Sequence, residues 1–334
     1  MTLAAGVAPT NEVQAEAWSR RELPPVDRVR DDVWAIPVPL DLPIRFTFAY
    51  LIDSPDGALL IDPGVSSEAA AAALDAGFAA ADVPLDRLGG IVITHYHFDH
   101  WEGADDLASR TGAWIAIGEH EQRWVDSLRD DHLSPEAAAA RFRSHGAPAA
   151  QAQAFARVED YRFTRDHVAP QHRLRDGELL PVAGERLRVL WTPGHSPGHI
   201  CLYDERRELL FSGDHVLPRI TPHIALNPFG AADPLGQYLA SLDALLPYGH
   251  AEVLPAHEYR FVGLDARIVQ LKAGIAERLD EVAAAKAEMP TASAWEVAQR
   301  LTWSRPFESF EIPSQRMALV ESAAHLAHLE RTVG

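Results

Sequence analysis

From Val33 to about Leu60 the chain runs as short apolar stretches, VWAIPVPL, FTFAYLID and ALLID, broken by Pro, Asp and Gly, with a turn at Ser54 to Gly57. Apolar runs bounded by such breakers predict strands, here a β-meander. The Ala-rich stretch from Ser67 to Ala81 predicts a helix, and Gly90 to Ile93 predicts a buried strand ending at Thr94. The pattern returns downstream. Leu187 to Trp191 runs into Thr192-Pro193-Gly194, Glu208 to Phe211 into Ser212-Gly213, and Ala251 to Leu254 into Pro255-Ala256. Each passage from strand to loop is followed at once by a histidine or an aspartate. Strands with interspersed helices predict an α/β (α+β) fold of layered sheets flanked by helices, with the chemistry at strand ends where loops converge.

Between Glu119 and Arg165 lies a helix-rich insertion carrying Trp124, Leu128, Phe142, Phe155, Tyr161 and Phe163. It reads either as helical decoration or as a lid over the site, since long insertions are often functional. Its aromatics suggest a wall of the substrate pocket. After His257 the spacing becomes helical: Leu264, Ile268, Leu271, Ile275, Leu279 and Val282 recur at steps of three and four, up to a stop at Met289-Pro290. Thr291 is the expected cap of a short helix with Trp295 and Val297, and a last helix places Leu319, Ala323, Leu326 and Leu329 on one face. These patterns divide the chain into a flexible lead (1–30), a catalytic domain (31–262) and a small helical C-terminal domain (263–334).

Composition narrows the class. The 334 residues are 47% hydrophobic and 23% charged, a globular profile with room for a substantial core. The formal net charge of −18, with no dense Lys/Arg run, disfavours nucleic acid as a partner. Cys201 is the single cysteine and has no intrachain partner; after an apolar strand start it reads as a small buried residue. No apolar stretch is long enough to span a bilayer, and the first residues lack the basic and apolar regions of an export signal. A soluble, cytoplasmic protein is expected, its oligomeric state open, a homodimer included.

The densest chemical signal is Thr94-His95-Tyr96-His97-Phe98-Asp99-His100. His95 and His97 alternate along an extended segment and point the same way, whereas Asp99 and His100 open the next helix and can face a second point. Tyr96, between them, faces away. Further candidates stand at the other strand ends: His195 in TPGHSPGH, Asp214 in FSGDH and His257 in LPAHEY. Taken singly, each is an ordinary histidine or aspartate; together they complete two coordination shells. Imidazole and carboxylate without thiolate suit zinc, with iron or manganese as substitutes.

The order His-x-His-x-Asp-His, a Pro-Gly-His loop, an aspartate after Ser-Gly and a late histidine resembles the metallo-β-lactamase superfamily in its glyoxalase II-like branch, over Val33 to Tyr259. The resemblance implies an αββα sandwich with two metal ions at one edge. It implies that His95, His97 and His195 hold the first metal, that Asp99, His100 and His257 hold the second, and that Asp214 bridges both. Asp62, in LLIDPG, resembles the family's buried aspartate that supports the ligand loop, although Asp before Pro-Gly also suits a plain turn. Residues 263–334 are similar, more loosely, to the winged-helix-like extension of some members, including a mitochondrial endoribonuclease group.

Two metals roughly 3.5 to 4 Å apart can share a hydroxide, lower its pKa and polarise a substrate oxygen. The expected activity is hydrolysis of a small-molecule thioester, lactone or related ester. Asp99, Asp214 and His223 are the candidate catalytic residues, His223 as a substrate contact or proton donor along with Arg219. No Gly-x-Ser-x-Gly elbow is present. The aspartate at 214, where the best-known zinc β-lactamases have a cysteine, argues against antibiotic hydrolysis. Alternatives are an iron-dependent persulfide dioxygenase, an endoribonuclease, or a ligand-binding protein with a vestigial site; a complete double ligand set favours the hydrolase.

Overall fold

The computed structural model describes residues 5–129, 134–158, 169–180 and 186–333; Tyr161 and Phe163 fall outside them. The chain opens with strand β1 (Ala8–Pro9) and helix α1 (Glu12–Arg20). An antiparallel meander follows: β2 (Asp27–Arg30), β3 (Val33–Pro39), β4 (Phe46–Ser54) and β5 (Gly57–Ile61). Helix α2 (Glu68–Ala80), capped by the Ser67 hydroxyl, leads to β6 (Leu88–Ile93), parallel to β5. Helices α3 (Phe98–Trp101) and α4 (Gly103–Thr111) lead to β7 (Trp114–Gly118). The insertion, α5 (Glu119–Arg129), α6 (Pro135–Ser144) and α7 (Ala149–Val158), precedes β8 (His172–Leu174). Strands β2 to β8 form one sheet in sequence order.

The second sheet starts with β9 (Leu187–Trp191), β10 (Ile200–Asp204) and β11 (Leu209–Gly213), all antiparallel. Helix α8 (Pro234–Ala244) crosses to β12 (Glu252–Pro255), parallel to β11, and β13 (Phe261–Val262) and β1 close the order β1-β13-β12-β11-β10-β9. Helices α9 (Leu264–Glu288), α10 (Ala294–Ala298) and α11 (Ile312–Val333) follow.

The meander strands read as near-continuous apolar runs because both of their faces are covered. Trp34, Ile36, Val38, Ala49, Leu51 and Leu60 point outward to α2, α4 and α5. The alternate residues Val33, Ala35, Phe48, Tyr50, Ile52 and Leu59 point inward, against Val189, Leu202 and Phe211 of the second sheet. That sheet's outer face is covered by α8 and α9. The result is the expected αββα sandwich.

Four expectations need correction. Residues 5–30 are not a loose lead: β1 pairs with β13, Trp18 meets Phe46 edge-on at 6.0 Å, and the fully buried Gln14 accepts the Arg260 N–H at 3.1 Å. Residues 263–334 are not set apart from the catalytic layers, since Leu264, Ile268, Leu271 and Ile275 of α9 belong to the core on the second sheet. Among the described residues no strand follows Val262, so the hairpin wing of a winged helix is absent. Ser293, not Thr291, caps α10, in a reciprocal capping box with Glu296.

The insertion's aromatics are also placed differently from the pocket reading. Phe142 and Phe155 are fully buried, 5.4 Å apart, in a helical core shared with Val282, Val297, Leu319 and Leu326. Phe155→Ala should therefore destabilise the protein by about 3–5 kcal/mol in denaturant unfolding, the range for a truncated core phenylalanine. Unchanged stability with an altered KM would instead restore Phe155 to the substrate pocket.

Candidate metal centre

Every residue singled out for metal binding leaves the carboxyl end of a strand on one edge of the sandwich. Strand β6 delivers Thr94 to His100, β9 delivers His195, β11 delivers Asp214, β12 delivers His257, and β5 delivers Asp62. Parallel pairing of β5 with β6 and of β11 with β12 sends these chain ends the same way. The Tyr50 hydroxyl donates to Pro255 O at 2.7 Å, pinning the two sheets together beside the site.

The side chains form two clusters. Nitrogens or oxygens of His95, His97, His195 and Asp214 lie within 4.8 Å of one another, as do those of Asp99, His100 and His257. In the first, His97 Nδ1 lies 2.8 Å from His95 Nε2 and 3.0 Å from His195 Nε2. In the second, His257 Nε2 is 3.5 Å from Asp99 Oδ2 and His100 Nε2 is 3.8 Å from the same oxygen. Asp214 faces both, its carboxylate 3.7 Å from His195 Nε2, 3.6 Å from His100 Nε2 and 3.3 Å from His257 Nε2.

The outer nitrogens explain why these rings converge. His95 Nδ1 is 3.0 Å from Thr94 Oγ1, His100 Nδ1 2.8 Å from Asp62 Oδ2, His195 Nδ1 2.9 Å from His223 O, and His257 Nδ1 2.8 Å from Phe46 O. In a neutral ring an oxygen acceptor at Nδ1 holds the proton there and leaves Nε2 with a free lone pair, the form a metal takes. Burial alone would favour that form in His100 and His257 too, but the Asp214 and Asp99 carboxylates outweigh it and raise both, His257 to about 10. These two therefore give up a proton when a cation binds. Burial drives His95 and His97 toward the neutral ring, pushing His97 down to about 3, and His97 turns Nδ1 rather than Nε2 into the cluster. The Asp214 carboxyl, which burial alone would raise, is held well below its usual range by His257 and His100. His100 Nε2 and Asp214 Oδ1 are buried with no hydrogen-bond partner among the described residues. Such orphaned donors and acceptors are costly unless something binds them, and a divalent cation between them fits this donor set.

Asp62 does more than turn the chain. Its Oδ1 accepts the Thr94 N–H at 2.8 Å, and Oδ2 accepts the Thr94 hydroxyl at 2.7 Å beside His100 Nδ1.

A family model of the metallo-β-lactamase superfamily matches residues 42–257, an interval containing all seven clustered residues. The chain belongs to the metallo-β-lactamase superfamily. Members of this superfamily generally bind divalent metals, and the clustered histidines and aspartates are candidate ligands for them. The probable metallo-hydrolase YqjP of Bacillus subtilis is 28% identical to it over 90% of this chain and 92% of that protein. A metallo-beta-lactamase family protein from Thermus thermophilus superposes with a TM-score of 0.75 at 29% identity, covering 92% of this chain and 95% of that one. The atrochrysone carboxyl ACP thioesterase AgnL7 of Paecilomyces divaricatus is 25% identical over 64% of this chain and 51% of that protein. This superfamily member spans 35% to 66% of the length of the first fungal lactamase-like relatives it matches.

Other parts of the sequence reading fall outside the clusters. The His223 ring turns to α11, its Nε2 3.1 Å from Met317 O, so its link to the centre is the backbone carbonyl that holds His195. That geometry does not suit a proton donor. The Arg219 N–H donates to Glu258 Oε2 at 2.9 Å, which holds the loop after Asp214. Tyr96 packs on Trp124 with centroids 4.2 Å apart. Cys201 is buried, and burial pushes its thiol up to about 12. Among the described residues no helix is long and apolar enough to cross a membrane.

Two supporting residues escaped the sequence reading. His199, the second histidine of TPGHSPGH, is buried and accepts the Asp214 N–H on Nε2 at 3.2 Å; a Cβ on Gly213 (φ +50°) would stand 2.7 Å from that nitrogen. The repeated histidine was its only signal. Glu121 is fully buried between two ligand loops, where burial pushes its carboxyl up to about 7. Nothing in the spacing of an ordinary helix start marks it.

Proposed function

We propose that this protein is a dinuclear zinc hydrolase acting on a small-molecule thioester, lactone or related ester. The observation that carries the reading is the Asp214 carboxylate, which faces His195 of one cluster and both His100 and His257 of the other. In this reading His95, His97 and His195 hold one ion, Asp99, His100 and His257 hold the second, and Asp214 is shared. Bound divalent ions supply a water ionised near neutral pH and a Lewis acid for the carbonyl oxygen.

The chain's own contribution is orientation. Thr94, Asp62, His223 O and Phe46 O each hold the outer nitrogen of one imidazole, so the inner nitrogens are aligned before an ion arrives. Burial of Asp99 and Asp214 to about a tenth of full exposure weakens competition from bulk water for their charge. Support for a thioester comes from the thioesterase named among the relatives. The second cluster weighs against a persulfide dioxygenase, for which one histidine-carboxylate site suffices.

Elemental analysis of protein isolated without chelator should give about two zinc ions per chain, and the same preparation should hydrolyse a thioester or lactone panel, with loss of turnover on chelation. One tightly held iron, with oxygen consumption in the presence of a thiol persulfide, would overturn the reading.

A further inference from the structure

We propose that Glu121 is a positioning residue of the metal centre: its single buried carboxylate ties the loop carrying His95 and His97 to the loop carrying His195, and so sets the spacing of those three imidazoles. One oxygen accepts the N–H of Tyr96, the residue between His95 and His97, at 2.9 Å. The other accepts the N–H of Gly198, three residues beyond His195, at 2.6 Å. The two loops leave different sheets, β6 in one and β9 in the other, so no sheet ladder joins them. The Ile200 N–H donates to Thr94 O at 3.0 Å at their bases, and Glu121 ties them further out, at Tyr96 and Gly198.

Three further features show that the contact is built in. A Cβ on Gly198 would collide with the backbone of Glu121, so only glycine lets the start of α5 lie against this loop. Gly118, just before α5, is close in the same way, with Gly198 O 2.7 Å from where its Cβ would stand. One turn further along α5, Trp124 packs on the Tyr96 ring and donates its indole N–H to Pro228 O at 2.8 Å. The insertion therefore grips the ligand loop by its backbone through Glu121 and by its side chain through Trp124. His100 and His257 are held instead by Asp62 and Phe46 O. Loss of Glu121 should act on one cluster and spare the other.

The inference rests on the two-ion reading. The test uses the full chain and zinc alone, titrated against a chromophoric chelator, for the wild type, E121Q and E121A. Glutamine keeps the shape but offers one acceptor where two N–H groups need two, and turns an amide N–H against the other. One of the two zinc affinities should fall about 10- to 100-fold in E121Q, the usual cost of removing an outer support, while the other stays at the wild-type value. Circular dichroism and the thermal midpoint establish that E121Q is folded; it carries the result if E121A does not fold. Wild-type affinity at both sites in E121Q, or equal weakening of both, overturns the proposal. If the wild type takes up one zinc only, the two-ion reading fails while Glu121 is judged on that ion: a tenfold or greater loss in E121Q sustains it, and no loss overturns it. A wild type that binds no zinc overturns both.

Discussion

Asp214→Ala is expected to lower kcat by about 10²-fold or more and to reduce metal content, while the far-UV circular dichroism stays that of the folded protein. The carboxylate reaches 3.3 to 3.7 Å from nitrogens of three histidines that come from three loops and both clusters. Its removal takes away the only negative charge shared by the two proposed ions, and His100 and His257 then face each other without it. The fold should survive because the Asp214 side chain faces the clustered histidines rather than an apolar cluster, and its backbone N–H, bonded to His199, is untouched. Asp214→Asn separates charge from shape, since it fills the same space with one oxygen and one amide nitrogen. It should lose activity nearly as severely. Full turnover with two bound metals in either variant would exclude the bridging role.

Asp62→Asn should abolish most zinc binding at the Asp99, His100 and His257 cluster, with a loss of about 10- to 100-fold in affinity. The carboxylate presents Oδ2 to both the Thr94 hydroxyl and His100 Nδ1. An amide nitrogen there offers a donor to a donor, so His100 is pushed to the tautomer with its proton on Nε2, the nitrogen that points into the cluster. Asparagine also tolerates the left-handed backbone at this position, φ +53°, which alanine does not accept as readily. Asn is thus the cleaner probe, and Asp62→Ala would add about 1–3 kcal/mol for each donor left buried without an acceptor. Zinc titration measures the first effect and denaturant unfolding the second. Wild-type affinity for both ions in Asp62→Asn would show that the aspartate is a turn residue and no more.

The layered fold was legible because its signals are local. Alternation of inward and outward residues in β3 and β4, the Ala-rich run before β6, and a Pro- or Gly-bearing break after each strand are all properties of neighbouring residues. The seven clustered residues were legible for the same reason: each lies in the segment that follows a strand, Asp99 and His100 at the start of the helix after β6, so the chemistry is written at element ends. Where sequence and structure part, the cause is always a distant partner. Residues 5–30 lack a strong pattern of their own and are ordered by Arg260 and by β13. Phe155 reads as a pocket residue until α9, α10 and α11 supply the core that buries it. His223 suits a proton donor by its place after Asp214, yet α11 draws its ring away.

What the sequence by itself determined, then, is the order of strands and helices, the donor chemistry at each strand end, and the absence of thiolate from the set. Only the tertiary structure decided which donors meet, because the two clusters are assembled from loops of both sheets separated by as many as 162 positions, from His95 to His257. It also decided which nitrogen of each ring faces inward, since that depends on Asp62, Thr94, His223 O and Phe46 O, all fixed by packing rather than by spacing. Glu121 belongs wholly to that second category. Its carboxylate gains a role only where the backbones of Tyr96 and Gly198 are brought within hydrogen-bonding reach, and a hydrogen bond, unlike an apolar stripe, leaves no periodic trace in the chain that forms it.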